Sequence, residues 1–264
     1  MRFIKNLFVL VLLLAVLVGG AVVGLRVARG KPSAPEQVKP NIATASAAGI
    51  YLYAARVGEG GPVVLFDAGA DPEGRAVDAA LGALHAGRSD VTDIFLTHAH
   101  GDHVAAAPAF PNAKIHLGAA DVPLAEKKVA PDAIAAKIAL KIMDPPAVSV
   151  NAPLEGSPTF ALGKATPPAT VKALPLPGHT PGSYAFLYDG VLFVGDAMVF
   201  KQGRLDRTPK YFDSDTDAAR AALVGLKKQL ADGDVDIVCT GHGGCTPKGL
   251  GKNLLDELIS RQGG

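Results

Sequence analysis

Apolar and polar positions follow two distinct periods along this chain, and two segments near its start follow neither. "IYLYAARV" (50–57) and "PVVLFD" (62–67) are β-rich runs on either side of the glycine turn "GEGG", which predicts a hairpin. "EGRAVDAALGALHAG" sets Val77, Leu81 and Leu84 on one helical face before a glycine stop. "DIFLT" and "KIHLG" predict short buried strands, and "APDAIAAKIALKIMD" predicts a helix halted by Pro145 and Pro146. Three strand candidates follow in "VKALPLPG", "SYAFLYDG" and "VLFVGDA", the last two joined at the Asp189-Gly190 turn. "DTDAARAALVGLKKQLADG" aligns Leu223, Leu226 and Leu230 on one helical face. "VDIVCT" then predicts a strand and "GLGKNLLDELISRQ" a closing helix. Strands alternating with helices predict a layered α/β domain with its chemistry in the loops at strand ends.

The two exceptions come first in the chain. Leu7 to Leu25 runs 19 residues without a charge, which at 1.5 Å per residue spans roughly 28 Å, enough for a bilayer. Residues 1–30 are therefore expected to be an N-terminal transmembrane anchor or an export signal. Arg26, Arg29 and Lys31 outnumber Arg2 and Lys5 across it, so flanking charge leaves orientation open. An extracytoplasmic, membrane-anchored or exported domain is the expectation. Residues 31–47, "KPSAPEQVKPNIATASA", are rich in proline and small residues without periodicity and predict a flexible linker. The folded domain is then expected over 48–264. Composition adds little: a formal net charge of +1 gives no basic surface for nucleic acid, and two cysteines cannot make a disulfide scaffold.

The polar residues at the strand ends carry the chemistry. "THAHGDH" (97–103) holds three of the chain's seven histidines directly after the strand "DIFLT". Imidazoliums crowded together repel, and buried imidazoles leave polar nitrogens needing partners, whereas a shared metal ion satisfies both conditions. His179 in "PGHTPGS", Asp196 in "FVGDA" and His242 in "TGHGG" each follow a strand as well. His98, His100, Asp102, His103, His179, Asp196 and His242 together offer seven donors. One tetrahedral zinc takes about four, so two ions fit this set better than one. Imidazole and carboxylate ligands accept zinc first, with iron or manganese as alternatives. A metal that lowers the pKa of water to about 7 makes hydroxide available at neutral pH, which points to hydrolysis.

These motifs, with "LFDAG" upstream, resemble the metallo-β-lactamase fold superfamily, and the likeness covers residues 50 to about 250. The resemblance implies an αββα sandwich. It assigns His98, His100 and His179 to one ion, Asp102, His103 and His242 to the other, and Asp196 as a bridge between them. It casts Asp67 as the residue that steadies the histidine loop and Asp102 as both ligand and catalytic proton carrier. The implied activity is a dinuclear hydrolase cleaving an ester, thioester or lactone with a metal-bridging hydroxide. The commonest subclass of true β-lactamases carries cysteine where this chain has Asp196, which points away from antibiotic hydrolysis. The pattern is closer to glyoxalase II and the acyl-homoserine lactonases. However, about twenty residues follow His242, without a helical glutathione-gripping domain. Val199 also stands where lactonases have tyrosine.

Two other classes stay open: an iron persulfide dioxygenase using His98, His179 and Asp196, and a non-catalytic membrane-tethered metal binder. The partner is a small molecule, with pocket walls drawn from 119–170 and 198–214. In "KQGRLDRTPK" the cations Lys201 and Arg204 are candidates for gripping an anionic substrate, beside the alternative of a solvated loop. Cys239 and Cys245 bracket His242 and read either as a bracing disulfide or as separate thiols. His85 and His116 match no motif and are expected at surface or helix-end positions.

Overall fold

The computed structural model describes residues 30–164 and 168–262. The expected N-terminal anchor lies outside these residues. No described helix is long and apolar enough to cross a membrane.

The chain opens with β1 (Glu36–Lys39), β2 (Ile42–Ala47), β3 (Ile50–Arg56), β4 (Val63–Phe66), β5 (Val91–Phe95), β6 (Lys114–Gly118) and β7 (Ala152–Leu154). They lie side by side in sequence order in one sheet, antiparallel as far as β4 and parallel from β4 to β7. β8 (Thr159–Leu162), β9 (Ala169–Pro175), β10 (Tyr184–Tyr188) and β11 (Val191–Phe193) build the second sheet. A separate hairpin, β12 (Met198–Lys201) and β13 (Arg204–Arg207), intervenes before β14 (Ile237–Thr240) and β15 (Gly244–Cys245) complete it.

Side-chain alternation explains the layers. In β4, Val64 and Phe66 face the second sheet, where Phe66 stacks on Phe193 with ring centroids 3.9 Å apart. Val63 and Leu65 face the other way, toward Val77 and Leu81 of the helix Arg75–Ala83. On the outside of the second sheet, Leu192 and Val238 meet Leu223 and Leu255 of the helices Thr216–Leu226 and Gly251–Gln262. The result is the expected αββα sandwich, with β4 buried on both faces.

Two expectations are corrected. Residues 31–47 are not all linker, because β1 and β2 belong to the sheet and every residue of β2 is buried. The alanines that erase its hydrophobic signal have a packing role: Ala43, Ala45 and Ala47 let the helix Arg75–Ala83 come close to the sheet. The domain thus begins before residue 48. His116 is not a surface residue but is buried in β6, bonded to Asp93 (2.8 Å) and stacked on Phe95. His85 does lie exposed just past the end of its helix.

Candidate metal centre

All the chemistry-bearing loops leave the carboxyl ends of strands at one edge of the sandwich. Asp67 follows β4, 97–103 follows β5, Asp121 lies beyond β6, His179 beyond β9, Asp196 beyond β11 and His242 beyond β14. Parallel pairing of β4, β5 and β6, and of β11 with β14, brings these ends to the same side. Residues as far apart in sequence as Asp67 and His242 thereby converge.

They form three groups whose ligand atoms lie within 4.8 Å of one another: His98, His100 and His179; Asp102, His103 and His242; and His98, His103 and Asp196. Asp196 connects the first two groups. Its Oδ1 is 3.3 Å from His103 Nε2, and its Oδ2 is 3.2 Å from His242 Nε2 and 3.8 Å from His179 Nε2. Asp102 Oδ2 stands 3.5 Å from His242 Nε2 and 3.7 Å from His103 Nε2. Glycine makes this closeness possible. A Cβ on Gly241 would run into the Asp196 carboxylate and the His103 ring, and Gly195 (φ +51°) sits against Thr97.

Neighbouring side chains set which ring nitrogen faces the centre. The Asp67 carboxylate accepts the Thr97 N–H (2.7 Å) and its hydroxyl (2.9 Å). With its proton so committed, the Thr97 oxygen accepts from His98 Nδ1 (3.0 Å) and leaves His98 Nε2 bare. Asp67 Oδ2 also takes the Nδ1 proton of His103 (2.8 Å), again turning Nε2 inward. His98 Nε2, His103 Nε2 and Asp196 Oδ1 are buried yet lack hydrogen-bond partners. Buried polar atoms are nearly always satisfied, and a cation at this point satisfies all three. The residues present fit a metal.

Two carboxylates that the sequence reading missed complete the support. Asp121, 1% exposed, accepts from the Ala99 N–H (2.9 Å), the Thr180 hydroxyl (2.7 Å) and the Gly182 N–H (2.7 Å). It thereby ties the histidine loop to the loop of His179, and burial pushes its carboxyl up. Asp213 Oδ1 lies 3.5 Å from His179 Nδ1, while its other oxygen holds Arg207 (2.8 Å). Neither carries a local signal, since only a long-range loop contact reveals its role. Lys201 and Arg204, the candidate substrate cations, sit exposed at the end of the β12–β13 hairpin, Arg204 on Asp206 (2.6 Å), and neither lines the cavity over the ligands. Cys239 and Cys245 form a disulfide between register partners on β14 and β15, at the base of the turn that carries His242. Tyr53 clamps the same turn from the first sheet by donating to the Thr240 carbonyl (2.8 Å).

Electrostatics divides the centre. Burial and then the neighbouring imidazoles hold His98 well below the ordinary histidine range, and burial and His179 push His100 down to about 3. Burial alone would also lower His103, but Asp196, Asp102 and Asp67 raise it well above that range. Asp196 is the main cause that lifts His242 to about 10. Burial would raise Asp102, yet His103 and His242 bring it down to about 2. The half of the site bearing the carboxylates is built to hold positive charge.

A buried histidine and aspartate centre at one edge of an αββα sandwich defines a class of metal-site protein. The comparisons bear this out. The profile of the metallo-beta-lactamase superfamily matches residues 50–242, and the chain belongs to that superfamily, whose members are mostly hydrolases and usually bind divalent metals. BJP-1, a subclass B3 metallo-beta-lactamase of Bradyrhizobium japonicum, is 26% identical, with a TM-score of 0.60 over 81% of this chain and 80% of its own. A metallo-beta-lactamase family protein of Thermus thermophilus is 20% identical, with a TM-score of 0.60 over 86% and 81% of the two chains. The uncharacterized protein YobT of Bacillus subtilis (strain 168) is 32% identical over 116 residues, 42% of this chain and 47% of YobT. The match therefore spans about half of that relative's length.

Proposed function

We propose that this protein is a dinuclear metal-dependent hydrolase of an ester, thioester or lactone. The observation that carries the reading is Asp196, whose two oxygens reach both histidine groups. His98, His100 and His179 would hold one ion, Asp102, His103 and His242 the other, with Asp196 shared. Such ions supply Lewis-acid polarisation of a carbonyl and water acidified to a pKa of about 7. The chain's own residues do the rest. Asp67 and Thr97 fix the imidazole tautomers, and Asp121 holds the two ligand loops in register. Asp102 opens onto the cavity, where its carboxylate takes a proton from water and hands it to the departing oxygen or sulfur.

The test is elemental mass spectrometry on the full-length chain purified without chelators, alongside thioester and lactone assays. About two divalent ions per chain with hydrolysis is the expected result. One iron per chain, with oxygen uptake on a persulfide, would replace this reading by the dioxygenase. The Cys239–Cys245 disulfide fits an oxidising compartment and supports placing the domain outside the cytoplasm. Protease added to intact spheroplasts should then degrade it, and a spared domain would refute that placement.

A further inference from the structure

Over the ligand cluster lies a cavity of about 340 Å³. Its floor holds His100, Asp102, His179, Asp196 and His242, and these are the only ionisable groups among the described residues that line it. One wall is a single helical face: Ala136, Ala139, Leu140 and Met143 of the helix Ile134–Met143 stand at i, i+3, i+4 and i+7. Leu124, Val199 and Phe212 close it from other elements. Two arginines near it are held by carboxylates, Arg207 by Asp213 and Arg204 by Asp206.

A recognition site for a charged or sugar-like group places polar partners against it, and an unpaired charge buried here would be costly. We propose, building on the hydrolase reading above, that the substrate's acyl part is an uncharged hydrocarbon chain seated in this cavity. The cavity opens directly onto the candidate ligands, which sets the chain it holds beside the reacting carbonyl carbon. In the reaction, water contributes its hydroxyl to that carbon and its proton to the leaving oxygen or sulfur. The acyl–oxygen or acyl–sulfur bond breaks, and no electron changes hands.

The test uses metal-replete full-length chain and straight-chain thioesters from acetyl to dodecanoyl. In parallel, binding is titrated with 2-alkanones of matching length, which cannot be cleaved. kcat/KM should rise about fourfold per methylene until the chain fills the cavity, and ketone affinity should rise with it. Leu140→Asp should cut octanoyl thioester kcat/KM at least tenfold, and Ala139→Leu should shift the optimum to shorter chains. Length-independent turnover, or preference for ω-carboxylated acyl groups, would overturn the proposal. If no thioester, ester or lactone of any length is cleaved, the hydrolase reading falls. The ketones then decide this proposal alone, which stands if affinity climbs with length and fails if it is flat.

Discussion

His98 and His103 lie in one loop, with ring centroids 4.2 Å apart and both fully buried, yet they are driven in opposite directions. His98 looks at other imidazoles, which together with burial keep it neutral. His103 looks at Asp196, Asp102 and Asp67, which draw a proton onto it despite burial. In the all-imidazole group, His98 and His100 are thus held as ready lone pairs. The mixed group is an anionic cradle with an open side, where the His242 side chain is 41% exposed. What separates them is which loop delivers a carboxylate: the residue type is the same, and the neighbours decide its state.

The hardest test of that division is Asp102→Asn. It removes the charge and the proton acceptor from the mixed group while leaving the imidazole group whole. Turnover should fall about 10²- to 10⁴-fold with the circular dichroism spectrum unchanged. A variant working at the parent rate would end the role given to Asp102.

Asp67 and Asp121 sharpen the contrast. Asp67 orients one histidine of each group, so Asp67→Ala should weaken binding of both ions about 10- to 100-fold. Asp121 holds the backbone between His98 and His100 and the loop of His179, and touches neither Asp102 nor His242, so Asp121→Asn should weaken the imidazole-group binding step more than the other. Competition with a chromogenic chelator resolves the two steps, and equal losses in both variants would erase the distinction.

Above neutrality the mixed group responds to pH. In the metal-stripped chain the raised His242, at about 10 against an ordinary 6.5, favours folding because the folded state binds the proton more tightly. That contribution is complete below about pH 6.5 and is lost as pH climbs toward 10. Thermal melts of chelated protein should fall across this window. Zinc binding, which displaces the proton, should tighten over the same window. Melts that stay level between about pH 6 and 9.5 would contradict it.

The smallest effect concerns the turn beneath His242. Cys245→Ser opens a short loop and should cost about 2 kcal/mol of stability. In denaturant titrations with metal analysis, the ion of the mixed group should leave first. Simultaneous loss of both ions would show that the disulfide does not act locally.

The histidine and aspartate spacing was legible in the linear chain because each ligand follows a short apolar run that must be a strand. A strand delivers the next residues to a sheet edge wherever the sheet lies. The hairpin 50–66, the helices and the ligands follow from such local patterns. β2 did not, because its alanines are dictated by a helix from residues 75–83 that packs on it, and no local period records that contact. Asp121 and Asp213 were invisible for the same reason: a lone aspartate in a loop becomes a brace only when a distant loop arrives beside it. The basic run 201–210 misled in the other direction, since the hairpin carries Lys201 and Arg204 outward and Asp213 captures Arg207. Sequence by itself determined the ligand types and the alternation that brings them to strand ends. Tertiary structure alone decided which carboxylate faces which imidazole and that the cavity above them is apolar, because both depend on the meeting of segments far apart in the chain.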